Sequence, residues 1–151
     1  MYLDAWLTFL QATYPGAPGA LALFRSRGSA ADIVRLSRPD LLAAGLDAKS
    51  ADRLRSPDGA LLTAWQRWLE RPGHALITLD SPDYPPLLQE LPDPPLALWS
   101  AGARPDLLRA PQLAMVGSRN PTHSGRDTAE AFARYLSDRG LTITSGLATG
   151  I

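Results

Sequence analysis

The stretch QLAMVGSRNPTHSGRDTAEAFARYLSDRGLTITSGLATGI (residues 112–151) decides the fold. Its first segment, 112–117, is an apolar run of strand composition that ends on a glycine. Residues 125–139 have apolar side chains at helical spacing, and Gly140 ends that segment. The apolar face of this helix is formed by Ala129, Phe132, Ala133 and Leu136. Residues 141–144 (LTIT) are a second strand, so we predict a strand–helix–strand unit, which implies a parallel sheet with a right-handed crossover.

Parallel sheets are covered by helices on both faces, and two core strands with a few flanking segments are too little for that. The second half of the chain therefore resembles the opening of a larger Rossmann-type domain, and the last residues stand where its next helix should begin. We expect the chain to be part of a longer protein. The predicted fold class is α/β.

The first half of the chain has helical periodicity. Tyr2, Ala5, Trp6, Phe9 and Leu10 recur at helical spacing, and a second helix opens at Pro18 or Gly19 and closes at Gly28. Further helices are predicted over 30–37, 39–45, 48–54 and about 59–71, with N-caps at Ser29, Asp47 and Asp58 or Gly59. Trp65, Trp68 and Leu69 are expected to supply the buried stripe of the last of these helices.

The periodicity changes at Pro72-Gly73, which is the predicted domain boundary. HALITL (74–79) and LALWSAG (96–102) have strand composition and are separated by a proline-rich turn. We therefore predict a helical domain over 1–72, followed by a Rossmann-like domain over 73–151.

Two segments of the helical part, PGAPGALALF (15–24) and AAGLDAKSADRL (43–54), suggest helix–hairpin–helix units. Such hairpins use a glycine–apolar–glycine turn to present backbone amides to phosphate. Here the second glycine is replaced by Pro18 in one hairpin and by Asp47 in the other. Proline lacks the amide and aspartate repels phosphate, so these residues favour a packing or protein-contact role over direct DNA contact.

The loops that follow the two core strands have the composition of an anion site. Both strands end at the carboxyl edge of the sheet, where open α/β sheets bind ligands. Glycines allow a ligand to approach the backbone, loop amides and a helix N-terminus donate to anions, and a guanidinium suits phosphate. The predicted phosphate-binding residues are Gly117, Ser118, Arg119, Thr122, Ser124, Gly125, Ser145, Gly146 and Gly150. The alternative is a tight turn in which the glycines serve geometry alone and Arg119 is solvated.

The sequence shows no catalytic set. It has no Ser–His–Asp arrangement and no metal-ligand spacing, and we predict no cofactor. His74 is expected to be structural, whereas His123 lies in the predicted phosphate loop. Cysteine is absent, which excludes disulfides and thiolate metal sites. No apolar run is long enough for a membrane span, and the first residues lack the basic region of a signal peptide.

Charge adds one observation. The 15 basic and 15 acidic residues cancel, and Lys49 is the only lysine. A neutral total argues against electrostatic coating of duplex DNA but allows a local groove.

The segments ITLDSPDYPPLLQELPDPPLALWSAG (77–102), MVGSRNPTHSG (115–125) and TSGLATGI (144–151), taken in this order, resemble the DNA-processing protein A family (DprA, also called Smf). The helices before them resemble the SAM-like domain of that family. The resemblance implies a cytosolic bacterial protein that binds single-stranded DNA and helps load the RecA recombinase during natural transformation. It also implies an extended Rossmann core and a homodimer. Gly117, Ser118 and Arg119 would then lie in the DNA-binding pocket, with Ser145 and Gly146 nearby.

This sequence departs from the family pattern at Ser124, where the family usually has a tyrosine. Two rival functions stay open. One is a nucleotide-binding Rossmann enzyme of the phosphoribohydrolase type, which needs carboxylate and glycine-rich motifs that this sequence does not show. The other is a protein-interaction module built on residues 1–72.

Overall fold

The computed structural model describes residues 2–14 and 16–151. The chain divides into two compact units: an N-terminal unit that runs up to Ala103, and a C-terminal unit, Arg104–Ile151. Among the described residues, no helix combines the length and the apolar character that crossing a membrane requires.

The N-terminal unit begins with six helices. They are α1 (Tyr2–Thr13), α2 (Ala20–Arg27), α3 (Ala30–Ile33), α4 (Arg38–Ala43), α5 (Ala48–Arg55) and α6 (Gly59–Leu69). The predicted caps are confirmed: Ser29, Asp47 and Asp58 each accept a hydrogen bond from a backbone amide of the helix that follows. Ser37 caps α4 in the same way, so this helix starts at Arg38 and Pro39 lies in its first turn, where proline is tolerated.

Several predicted helices are longer than the observed ones. The segment 30–37 is helical only over Ala30–Ile33, because Ser37 leaves the helix to cap α4. The helix predicted to reach Arg71 ends at Leu69. Such differences at helix ends reflect caps that compete for the same few residues.

The core of the helices is aromatic. Trp6 and Phe9 of α1 are fully buried, and Phe24 of α2 packs against Trp6 with ring centroids 4.8 Å apart. Because large apolar side chains dominate the stability of a small unit, this cluster holds α1 and α2 together. Leu23, Ile33 and Leu41 extend the buried layer toward the shorter helices.

The two segments that suggested helix–hairpin–helix turns contact each other at Gly19 and Gly45. Gly19, at the start of α2, has a φ of 82°, and a Cβ there would lie 2.1 Å from the carbonyl oxygen of Gly45. Asp47 uses its carboxylate to accept from the amide of Ser50 at 3.0 Å. The close approach and the occupied cap both support the packing role predicted for these turns.

A two-stranded antiparallel sheet completes the N-terminal unit. Strand β1 (His74–Thr78) pairs with β2 (Ala97–Ala101), and a short helix, α7 (Pro86–Gln89), lies between them. The buried Tyr84 donates from its hydroxyl to the carbonyl of Pro95 at 2.7 Å, and burial raises the pKa of this phenol. This contact between the DYPP and DPP segments therefore stabilises the connection between the two strands.

Trp99 of β2 joins this sheet to the helices. Its ring meets Trp65 and Trp68 of α6 edge to face, with centroids 5.1 and 5.3 Å away. The Trp68 carbonyl lies 2.9 Å from Nδ1 of His74. Trp65 and Trp68 are half-buried and no residue of α6 is fully buried, so the predicted stripe packs against a small sheet and not into a deep core.

The two compact units divide after Ala103, and the predicted domain boundary at Pro72-Gly73 stays a prediction. The periodicity does change at residue 73, but β1 and β2 pack on α6 and belong to the N-terminal unit. Whether residues 1–72 form a domain in their own right stays a prediction. Strands β1 and β2 form a two-stranded sheet of their own.

The C-terminal unit contains the predicted strand–helix–strand. After a 3-10 helix over Pro105–Arg109, strand β3 (Gln112–Ala114) pairs in parallel with β4 (Thr142–Thr144). Between them lies α8 (His123–Ser137), which begins two residues earlier than predicted because Thr122 supplies the cap. Gly140 ends the helix region with a φ of 86°, as expected. The α/β fold class is confirmed.

The apolar face of α8 is only partly covered. Ala129, Ala133 and Leu136 are half-buried, whereas Phe132 is 54% exposed. A sheet of two strands is too narrow to cover the whole predicted face. The sequence indicated this result, because two core strands are too few for a parallel sheet covered by helices on both faces.

Candidate phosphate-binding edge

Both core strands deliver their loops to one edge of the sheet. Ala114 at the end of β3 lies opposite Thr144 at the end of β4, and the amide of Met115 donates to the Thr144 carbonyl at 2.8 Å. We name residues 115–122 the first edge loop and residues 145–151 the second edge loop. Since both leave the carboxyl ends of parallel strands, they occupy the position where α/β sheets bind ligands.

The far end of the second edge loop is docked on the first. The amide of Ile151 donates to the carbonyl oxygen of Ser118 at 3.1 Å. A Cβ on Gly150, which has a φ of 108°, would lie 2.2 Å from that same oxygen, and one on Gly117 would lie 2.7 Å from the Ile151 side chain. Gly117 and Gly150 therefore permit an approach that no other residue allows.

Two of the predicted phosphate-binding hydroxyls accept hydrogen bonds from backbone amides of the chain itself. The hydroxyl oxygen of Ser118 accepts from the amide of Asn120, and that of Thr122 accepts from the amide of Gly125, each at 3.1 Å. These bonds fix the loop and cap α8. The Gly125 amide therefore donates to Thr122, whereas the sequence predicted that Gly125 would contact phosphate.

The first amides of α8 stay open. In the described part of the chain, the backbone N–H groups of His123 and Ser124 have no acceptor. They form the positive end of a helix of 15 residues. The Ser124 hydroxyl lies 3.3 Å from that of Thr122 and is exposed. An anion at this end of the helix would find two amides and two hydroxyls.

Arg119 is exposed and has no acidic partner among the described residues. Two other arginines of this unit, Arg134 and Arg139, are occupied. Arg134 pairs with Glu130 at 2.8 Å, and the Arg139 guanidinium lies 3.4 Å above the centre of the Tyr135 ring. A guanidinium without a carboxylate partner, on the loop that leads into open helix amides, is suited to an oxyanion ligand.

Arg126 is a residue that the sequence reasoning missed. It lies in the first turn of α8, is exposed, and has no acidic partner within the described ranges. Its position in the turn that follows the first edge loop was the available signal. His123, by contrast, has its Nδ1 atom 3.3 Å from a carboxylate oxygen of Asp127, so its ring is turned toward its own helix.

Ser145 and Gly146 lie at the start of the second edge loop, directly after β4, and both are exposed. A Cβ on Gly146 would meet nothing within 4 Å, so the structure gives no packing reason for glycine there. Their contact with a ligand stays a prediction. Within the described ranges, no group of three or more His, Asp or Glu side chains is arranged to hold a metal ion.

Gly150→Ala should open the gap between the edge loops. The new methyl group would overlap the Ser118 carbonyl, so the second loop must move and the Ile151–Ser118 hydrogen bond must break. We expect affinity for a single-stranded oligonucleotide to fall about tenfold, comparable to the loss of one hydrogen bond to a charged group. Fluorescence anisotropy with the full-length protein measures this.

The matched control is Gly140→Ala, because Gly140 also has a left-handed backbone but has open space around it. Both variants bear the strain of a left-handed alanine, and only one disturbs the loops. Equal affinities for the two variants would contradict the docked arrangement.

The arrangement defines a class: an α/β protein in which two glycine-containing loops meet at the carboxyl edge of a parallel sheet and form a candidate phosphate site. A family model described as DNA recombination-mediator protein A matches residues 75–151. The chain belongs to this family.

Curated relatives agree. The chain is 42% identical over 107 residues to Protein Smf of Escherichia coli (strain K12), an alignment that covers 71% of this chain and 28% of the relative. It is 35% identical over 75 residues to DNA processing protein DprA of Bacillus subtilis (strain 168), covering 50% of this chain and 25% of the relative. Protein Smf of Borreliella burgdorferi is 30% identical over 120 residues, covering 79% and 37%. The chain thus spans well under half the length of these relatives.

Proposed function

We propose that the protein binds single-stranded DNA by its phosphates at the edge of the parallel sheet and does not cleave it. The observation that carries this proposal is Arg119: an exposed guanidinium without an acidic partner among the described residues, on a loop docked against a second loop by two glycines. The open amides of His123 and Ser124 supply further donors to the same kind of ligand.

Phosphate contacts carry no base information, so binding should tolerate changes of sequence. Each phosphate held by a cation also releases counterions, so affinity should fall as salt rises. These two properties suit a protein that must accept any incoming strand.

The family description, a DNA recombination mediator, supports a role in handing the strand to a recombinase. We propose RecA as this partner, natural transformation as the process, a homodimer as the working form and the cytosol as the location. The helices of residues 1–72 serve packing or protein contact in this proposal, because Gly19 and Asp47 are occupied within the unit.

The test is incubation of the full-length protein with oligonucleotides and with nucleoside monophosphates, followed by chromatography. We expect salt-sensitive binding of strands of any sequence and full recovery of both substrates. Sustained turnover that depends on the protein would favour the nucleotide-hydrolase alternative. Absence of strand binding at low salt would contradict the proposal.

A further inference from the structure

Leu147 has an unusual backbone. Its φ is 54°, and it is the one non-glycine residue with positive φ in the described part of the chain. Leucine is disfavoured there because its Cβ crowds the following carbonyl group. Its side chain is also 94% exposed, so no packing in this structure offsets the strain. Strained residues of this kind occur where a ligand is held.

The main chain around Leu147 holds it in place. The second edge loop leaves β4 beside the hydrogen bond from Met115 to Thr144, and it is docked again where Ile151 meets Ser118. The intervening residues span these two fixed points, with Leu147 between them. The side chain itself makes no contact that would explain the position.

Val116, on the first edge loop, is a second exposed aliphatic residue. It directly follows Met115 and precedes Gly117, and it is 89% exposed. Each edge loop thus carries one exposed aliphatic side chain, and the first edge loop also carries Arg119 and leads into the open amides of α8. A free phosphate would use the donors and Arg119 and leave both aliphatic side chains in water.

A nucleic acid strand offers both chemistries in succession: a charged phosphate, then an apolar sugar and base face. We propose that Leu147 and Val116 form the contact for the base of the nucleotide whose phosphate is held at the edge loops and the start of α8. This inference rests on the proposed function and adds a ligand class to it: a nucleotide with its base, and not the phosphate backbone alone.

The experiment compares two strands of equal length, an oligothymidylate and a strand made entirely of abasic nucleotides, by anisotropy with the full-length protein. Leu147→Asn is the informative variant, because asparagine tolerates the left-handed backbone and lacks the aliphatic surface. We expect this variant to bind oligothymidylate about tenfold more weakly and the abasic strand as the wild type does. Val116→Ala should give a smaller loss of the same kind, and Arg119→Ala should weaken both strands equally.

Equal losses on the two strands, or no loss on either, would overturn this inference and leave the phosphate site standing. A lower melting temperature of Leu147→Asn, with both strands affected alike, would show that further polypeptide covers the side chain and would also overturn it. If the wild type bound neither strand, the proposed function itself would be contradicted.

Discussion

Arg119→Ala should weaken binding of single-stranded DNA by the full-length protein about ten- to a hundredfold. The residue is exposed, has no acidic partner among the described residues, and lies on the loop where the second edge loop docks. A hydrogen bond between charged groups contributes about 1.5–3 kcal/mol, which corresponds to this range of affinity. The loss should be similar for all base sequences, because the proposed contact is to phosphate. The slope of log affinity against log salt should also become shallower by about 0.7.

Arg134→Ala and Arg139→Ala are the controls. Both residues lie late in α8 or just after it and are occupied, the first by Glu130 and the second by Tyr135. Each variant removes the same charge from the same unit. Wild-type affinity of Arg119→Ala together with a loss in either control would place the site elsewhere.

Gly19→Ala should destabilise the N-terminal unit by about 3 kcal/mol. A left-handed alanine costs about 1–2 kcal/mol, and overpacking a rigid contact costs about 1–3 kcal/mol more. Here the neighbour at 2.1 Å is the backbone carbonyl of Gly45, which cannot rotate away as a side chain could. For a unit of this size, the melting temperature should fall by about 15 °C in a circular dichroism melt.

Gly28→Ala separates the two causes. Gly28 has a φ of 71° and open space where a Cβ would lie, so only the left-handed strain applies. This control should lose about 5 °C. Equal melting temperatures for the two variants would show that the contact of the turns at Gly19 and Gly45 is not formed in solution.

The helix caps were predictable from sequence because they depend on residues close in the chain. Asp47 and Asp58 each cap a helix within three residues, and the amphipathic pattern of α8 is equally local. The parallel pairing of β3 and β4 was predictable because a single helix connects the two strands. In each case the physical cause lies in a segment that can be read alone.

The boundary between units could not be predicted in this way. It depends on Trp99 meeting Trp65 and Trp68, a contact between segments about thirty residues apart in sequence. The change of periodicity at residue 73 marks where strands begin and says nothing about which helices they pack on. Tyr84 is similar, since its hydroxyl partner is a carbonyl and carbonyls leave no sequence signal.

The meeting of the two edge loops could be predicted from sequence, whereas several of their hydrogen bonds could not. The juxtaposition of the edge loops at Gly150 followed from parallel strands. Two details depend on the start of α8 at residue 123. Because the helix starts there, Thr122 accepts from the Gly125 amide. Arg126, which also lacks an acidic partner in the described part of the chain, then lies in the first turn. Leu147 was not foreseen, because a left-handed leucine has no sequence signal.

The most direct test of the phosphate-binding edge is a map of amide chemical shifts in the isotopically labelled full-length protein as an oligothymidylate is added. We expect the shifts to concentrate on residues 117–119, on His123 and Ser124 at the start of α8, and on 145–150. We also expect them to grow weaker together as salt is raised. Shifts confined to the N-terminal unit, with both edge loops unchanged at saturating DNA, would contradict it.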